Sequence, residues 1–468
     1  MNKREKILVI VMLLLMIMAG VYFILRPSIT FKKDMNVLEK DGQYLYLYFV
    51  EECDGDITVD ERYLDASTVG KHTFVYTVKN RYFTRKVRYH YEVVDTTAPV
   101  ISMTQSTVYK LPYEKYDIED MERNVHVREG TLSFETNYDP AFCGEYYVKA
   151  HAEDEAGNKS DGIYSVIVQD KEAPVLFHNG NDTVVLKGES FDPKSVIVYG
   201  DNADPAPVLE IKGEVDTSKA GSYILYGSLT DYSGNKREWN FTVRVVEENT
   251  PYEPSDPVYY DFADFKKDYG KEGLRFGMDV STWQGDIDYE KVKEAGCEFV
   301  IIRIGYSWLG ELNLDTRFRD NLEGFKKAGM PLGIYLYSYD NNEADLLKAL
   351  DSVFQELGDT ELEYGISFDW EDFGAFTEYK MSFQMLNHLY DVFEEEVSNK
   401  GYKPVLYGSA YYLKNIWKNT EDTNVWIAHY TDKSDYNGQY EMWQRCSNGR
   451  IDGIEGYTDF DIFYDTKQ

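Results

Sequence analysis

Two carboxylic acids one residue apart, Asp369 and Glu371 in the stretch ISFDWED, interrupt an otherwise apolar run. Side chains alternate along a strand, so both acids face one way while Phe368 and Trp370 face the other. Burying such a pair is costly unless the acids are exposed, paired or used. Crowding by a like charge raises a carboxyl's pKa, so one of the two can hold a proton beside a charged neighbour, as acid catalysis requires. Asp279 in FGMDVS and Asp459 in YTDFDIF stand on two further apolar runs and are candidates to join them. Each has a plainer reading: Asp279 precedes Ser281 and could cap a helix, and Asp459 could be a solvated turn residue.

The elements around these acids are strands that alternate with amphipathic helical stretches. Candidate strands are FGMDVS, EFVIIRIGY, PLGIYLYSY, YGISFDWE, PVLYGSA, NVWIAHY, YEMWQRC and YTDFDIF. Helical patterns lie between them in DTRFRDNLEGFKKAG and YKMSFQMLNHLYDVFEEEVSNKG, each ending at a glycine. Eight strands in this alternation predict a compact parallel α/β barrel of the TIM type over 273–468. Catalytic groups of such barrels sit at the C-terminal ends of strands, so all four acids are expected at one mouth.

In order and spacing, GMDVSTWQGDIDYEKVKEAGCEFVIIRIGY, DTRFRDNLEGFKKAGMPLGIYLYSY, FDWE and the closing TDFDIF resemble glycoside hydrolase family 25. Its members are lysozymes that cut peptidoglycan between N-acetylmuramic acid and N-acetylglucosamine. The resemblance implies that Glu371 is the general acid. It implies that Asp369 steadies the acetamido group or the positive charge formed from it, with Asp279 and Asp459 as flanking carboxylates. Tyr337, Tyr407, Trp426 and Tyr430, near strand ends, are candidates for sugar stacking, with core packing an equal or better reading for Trp426. Neighbouring strand positions leave open whether the anomeric centre is retained or inverted, and an acetamido-assisted route is compatible. The family usually has Tyr after Trp443-Gln444, where this chain has Arg445-Cys446, which implies a different groove wall. A chitinase-like glycosidase of family 18 also has Asp-Trp-Glu at this strand, but Tyr364 and Ser367 stand where it expects aspartates. A membrane-tethered wall-binding protein or adhesin with an inactive barrel is the alternative outside enzymes.

Ahead of the barrel, residues 29–248 are β-rich and repeat at about 75 residues. DASTVGKHTFVY, DPAFCGEYYVKA and DTSKAGSYILYG share Asp, then Gly five residues on, then a strand; TAPVI matches EAPVL, and DEAGNKS matches DYSGNKR. These blocks resemble bacterial immunoglobulin-like modules, which implies all-β sandwiches at 29–97, 98–172 and 173–248, with a linker at 249–272. A spacer role is the plain reading. The Asp-x-x-Gly-Asn segments fit turns more simply than calcium loops, and neither a metal nor a cofactor is expected.

Residues 1–28 hold a basic stub and an uncharged run, Ile7 to Leu25, just long enough to cross a bilayer core of roughly 30 Å. An uncleaved single-pass helix is favoured over a signal peptide because no small-x-small cleavage pattern follows. Lys3, Arg4 and Lys6 place the N-terminus in the cytoplasm and the bulk outside, facing the cell wall. Of the 468 residues, 82 are Asp or Glu and 49 are Lys or Arg, a net charge of −33 that argues against nucleic acid as a partner. The expected partners are peptidoglycan glycan strands and, through the helix, the membrane. Cys53, Cys143, Cys297 and Cys446 lack a CxxC pair and read as free thiols.

Overall fold

The computed structural model describes residues 3–248, 258–418, 420 and 423–468. Two compact bodies divide the chain: residues up to 106 with 117–137 and 147–165, and residues 107–116, 138–146 and 166–468. Their boundary runs through the second expected module, 98–172.

The first body begins with helix α1 (Lys3–Leu25), whose mean hydropathy is 3.0 and none of whose residues is buried. Its largest sheet has the strand order Val37–Glu39, Thr84–Val94, Gly70–Lys79, Asp56–Thr58. The long hairpin pairs Gly70 with Val93 through Lys79 with Thr84. Phe74, Tyr76 and Val78, two apart, face Tyr91, Val93, Leu38 and Phe49 in one core, as the period of a strand requires.

In the second body a sheet with the same order runs Thr183–Leu186, Lys236–Val246, Gly221–Thr230, Val208–Lys212. The matching segments DEAGNKS and DYSGNKR are turns. Gly157 and Gly234 adopt φ of 87° and 88°, and the Asp154 and Asp231 carboxylates accept the Asn158 and Asn235 N–H at 2.9 and 2.8 Å. The four cysteines are free; Cys297 and Cys446 are buried, while Cys53 and Cys143 are half-buried.

All eight expected barrel strands are present: β1 (Leu274–Val280), β2 (Phe299–Trp308), β3 (Leu332–Ser338), β4 (Ile366–Asp369), β5 (Pro404–Ser409), β6 (Val425–Ala428), β7 (Met442–Arg450) and β8 (Thr458–Tyr464). Strands β1 to β7 pair in parallel with their sequence neighbours. The expectation of an all-parallel barrel is corrected at the last strand, since β8 runs antiparallel between β7 and β1 and closes the barrel. A parallel return needs a crossover of a dozen or more residues, and 451–457 is too short to supply one.

The expected linker is corrected as well. Residues 249–257 lie outside the described residues, but Tyr260–Asp261 pairs with β7 and is followed by helix α2 (Phe262–Tyr269). Phe262 and Phe265 are buried against Phe460, so this segment belongs to the barrel.

Helices α3 (Phe318–Lys327), α4 (Glu343–Leu357) and α5 (Phe383–Asn399) cover the outside. Leu346, Ala349, Leu350, Val353 and Leu357 recur at helical spacing on the buried face of α4. On α5, whose first turn is capped by Ser382 accepting from the Met385 N–H, Phe383, Leu386, Leu389 and Phe393 do the same. Phe368 and Trp370 point outward into this layer, and Trp370 donates its indole N–H to the Asp340 carbonyl at 3.3 Å. The barrel interior is separate and holds Phe299, Ile301, Tyr364, Val405, Tyr407, Trp426 and Met442.

The module at 173–248 is packed onto the barrel. Phe177 lies with its ring centroid 5.4 to 6.0 Å from those of Phe373, Phe376, Phe383 and Tyr412. Tyr199 N–H donates to Thr377 Oγ1 at 3.0 Å, and the Asp201 and Asn202 carbonyls accept the N–H groups of Phe383 and Gln384 at 2.8 and 2.9 Å. Those N–H groups open α5 and have no partner within the helix. Gly200 permits the approach, because a Cβ there would lie 2.6 Å from Phe383 and 2.7 Å from Phe376.

Phe177→Ala should lower the stability of the full chain by about 2 kcal/mol in denaturant unfolding, less than a fully buried phenylalanine because Phe177 is half-buried. Tyr226→Ala, at an exposed position of the same module, should change it by no more than about 0.5 kcal/mol.

Candidate functional site

Strand geometry gathers the acids at one end of the barrel. Asp279 is the penultimate residue of β1 and Asp369 the last of β4, with Glu371 two residues beyond. Asp459 arrives from the opposite direction, at the start of antiparallel β8, and is paired directly with Asp279. Neither Asp279 nor Asp459 takes its plainer reading: Ser281, not Asp279, caps the next turn, and Asp459 lies in a strand.

The carboxyls act on one another. Burial, Glu371 and Asp279 push Asp369 well above the usual carboxylate range, while Arg303 pulls it back down. Burial pushes Glu371 up to about 7. Burial, with the charges of Asp279 and Glu371, pushes Asp459 up to about 8. Asp369 is buried, and its Oδ1 has no hydrogen-bond partner. Arg303 itself is held by Asp315 at 2.7 Å.

Below the rim a fifth acid, Asp461, is fully buried on the same face of β8 as Asp459. It accepts the Trp426 indole N–H at 2.8 Å, and burial pushes it well above the usual carboxylate range. Burial, with the charge of Asp461, pushes Asp279 up likewise. Gln444 completes the floor: it donates to Asp279 Oδ2 at 2.8 Å and accepts from the hydroxyls of Tyr407 and Tyr430, both at 2.9 Å.

The four aromatic candidates divide. Register places Tyr337, Asp369, Tyr407 and Trp426 in one row across β3 to β6. Tyr337 is half-buried beside Asp369 and Glu371, and Tyr430 is exposed at the rim. Tyr407 is buried beneath them. Trp426, 1% exposed, lies inside the barrel against Tyr407, so its place as a sugar-stacking residue is corrected to core packing. Arg445 faces away from the floor, against Tyr260 and Tyr269, and donates to Asp432 at 2.5 Å. The departure at Arg445-Cys446 therefore alters the outer layer, while Gln444 faces inward.

A groove of about 600 Å³ is lined by Tyr306, Trp308, Tyr339, Asp340, Tyr379 and Asp372, the residue that follows Glu371 in sequence. Trp283, 82% exposed, stands on the turn after β1. Sequence reasoning missed Asp461, Gln444, Arg303, Trp308 and Trp283. Signals were present: Asp461 stands two residues from Asp459 on one strand face, and Arg303 is the lone charge in the apolar run FVIIRIGY.

Fold and site together define a closed barrel whose rim holds protonated and charged carboxyls side by side. The sequence profile of glycosyl hydrolases family 25 matches residues 278–454, and that of the bacterial surface protein Ig-like domain matches residues 176–245. The autolytic lysozyme of Clostridium acetobutylicum is 27% identical over 189 residues, 40% of this chain and 55% of that protein. The chain thus spans little more than half the length of that relative. Lysozyme M1 of Streptomyces globisporus is 25% identical over 207 residues, 40% of this chain and 67% of that one. Among solved structures, a family 25 glycosyl hydrolase from Bacillus anthracis aligns with a TM-score of 0.35 at 20% identity, over 41% of this chain and 88% of that one. The barrel is a family 25 glycosyl hydrolase domain, and a bacterial surface Ig-like domain precedes it.

Acids raised by burial in the folded state favour folding when protonated. Stability contributed by Asp459 and Glu371 is therefore full below their ordinary values of 3.8 and 4.5 and is lost as pH rises toward about 8 and about 7. Thermal unfolding should show the chain less stable at pH 8 than at pH 5.5, and Asp459→Asn should reduce that difference.

Proposed function

We propose that this chain is a membrane-anchored peptidoglycan hydrolase that cleaves the β-1,4 bond between N-acetylmuramic acid and N-acetylglucosamine. The observation that carries the reading is the convergence of Asp279, Asp369, Glu371 and Asp459 at one barrel rim beside an aromatic groove. Glu371, the outermost of the Asp369-Glu371 pair and held protonated to about 7, delivers a proton to the leaving glycosidic oxygen. Asp369 lies beneath it; burial and its acid neighbours raise it, Arg303 opposes them, and in its charged form it steadies positive charge developing on the sugar or its acetamido group. Asp279 and Asp459 raise the proton affinity of the rim, and Gln444 holds Asp279 in place. Tyr337, Tyr430 and the groove at Trp308 supply faces for sugar rings.

The residue ranges 29–97, 98–172 and 173–248 are three Ig-like modules that carry the barrel. Helix α1 anchors the chain with its basic end in the cytoplasm and the barrel toward the wall, where it remodels peptidoglycan. The length of α1 and its lack of buried residues support the anchor, as does the basic stub before it.

The full chain in detergent micelles should release reducing sugar from purified peptidoglycan and not from chitin. Glu371→Gln should cut that rate by about 10²–10⁴-fold with an unchanged melting temperature. Equal digestion by wild type and variant would remove Glu371 as the acid, and digestion of chitin alone would remove the substrate assignment. The rate should fall as pH rises past about 7, because the proton on Glu371 is then lost. For the anchor, membranes from expressing cells should retain the chain through carbonate washing and release it only in detergent, with Lys3 to Lys6 still present by mass spectrometry.

A further inference from the structure

A second group of acids lies away from the barrel rim, where the Ig-like module meets α5. Asp170 precedes the module, Asp201 follows its strand Ile197–Gly200, and Asp231 follows Gly221–Thr230. All three are buried, and each turns a carboxylate oxygen to within 4.8 Å of the other two. Among the described residues none of the three is in an ion pair, and the charges acting on Asp201 are those of Asp170 and Asp231, both of its own sign.

The hydrogen bonds at these acids come from neutral groups. Asp201 Oδ1 accepts the N–H groups of Ala203 and Asp204 at 2.9 and 2.7 Å. Asp170 accepts from the Asn202 and Asn235 amides at 2.7 and 3.2 Å, and Asp231 from the Asn235 amide at 3.0 Å. Two buried oxygens have no donor among the described residues: Oδ2 of Asp201, a residue with no exposed surface, and Oδ1 of Asn202, a residue 7% exposed whose amide N–H donates to Asp170. A fully buried carboxylate oxygen without a donor, facing two further carboxylates, is far too costly to stand as packing alone.

The first body shows how the same position is treated where no such group exists. Asp95, which occupies in DTTAPV the place of Asp170 in DKEAPV, is paired with the Lys40 ammonium at 3.2 Å. A cation of the chain's own serves Asp95; among the described residues none serves Asp170.

We propose that Asp170, Asp201, Asp231 and the Asn202 side-chain oxygen form a binding site for a divalent cation, calcium in preference to magnesium, that locks the Ig-like module to the barrel. Oxygens that share one calcium at 2.3–2.6 Å lie no more than about 5 Å apart, which the three carboxylates satisfy. Ligands drawn from three loops, two of them amide-bonded, suit the irregular shell of calcium better than the strict octahedron of magnesium. The bound ion fixes the loop at 201–204, whose main-chain carbonyls cap the start of α5. Module and barrel then unfold as one unit.

The test uses the full chain in detergent micelles, stripped with a chelator and titrated separately with calcium and magnesium chloride. Calorimetry should give one calcium per chain at this site with Kd of about 0.1–1 mM, and saturation should raise the main unfolding transition by several degrees. Magnesium should bind at least about tenfold more weakly. Asp201→Asn keeps an oxygen for the Ala203 and Asp204 N–H groups and so should fold, yet lose calcium binding by at least about tenfold; Asp231→Asn should do the same. The proposal is overturned if the wild type takes up no calcium by about 10 mM, or if both variants bind as tightly as it does.

Discussion

Like charges brought together out of water dominate this molecule. A carboxylate buried beside another cannot keep its charge without help, and near neutral pH help comes as a proton, a fixed dipole or a cation. At the barrel rim the help is mostly protons. Burial and the charge of Asp461 push Asp279 well above the usual carboxylate range, and Glu371 keeps its proton to about 7 because it is desolvated. A neutral amide, Gln444, orients Asp279 without discharging it, and is itself held by the hydroxyls of Tyr407 and Tyr430. A full ion pair there would lower the acids and empty the site of its protons. The one nearby guanidinium, Arg303, is committed to Asp315, so it tempers Asp369 without neutralising it.

Trp370 explains why the two acids are one residue apart. Strand alternation sends Asp369 inward and Trp370 outward, where it is fully buried against Phe373, Phe376 and Tyr379 and tied to the Asp340 carbonyl. The anchored indole fixes the backbone on which Glu371 rides once the strand has ended. That anchor rests in turn on the Ig-like module, since Phe177 packs on the same Phe373 and Phe376. A contact some distance from any sugar thus bears on the placement of the proposed acid, and the barrel has part of its core outside its own matched residues, 278–454.

Much of this was legible in sequence wherever the signal was local. Eight apolar runs became eight strands, and glycine-ended amphipathic stretches became α3 and α5, with Gly329 and Gly401 at φ of 66° and 84° just past their ends. The acid pair, Asp279 and Asp459 were legible because charged residues in apolar strands demand a reason. What failed depended on partners distant in sequence. The direction of β8 is set by the length of 451–457, not by any residue in the strand. Phe262 and Phe265 sit in a charged, proline-adjacent stretch whose burial depends on Phe460, nearly two hundred positions away. Trp426 and Tyr407 share one register row, and both turn into the barrel, where Asp461 and Gln444 offer their polar ends buried acceptors.

The two acid groups show why composition alone cannot separate a catalytic site from a metal site. Each gathers aspartates from separate strands or loops, and each contains a buried carboxylate oxygen without a donor, on Asp369 and on Asp201. Their surroundings differ. Asp369 is buried beside Glu371, whose charge acts on it, and Arg303 tempers it. Around Asp201, the backbone N–H groups of one turn and the amides of Asn202 and Asn235 leave the spare oxygens converging on one another, with the barrel's α5 as a lid. Protons on that group would have nowhere to be delivered. A cation satisfies all of its oxygens at once and leaves the rim's protons untouched, because the two groups occupy opposite ends of the same packed segment, from Glu371 to the start of α5 at Phe383.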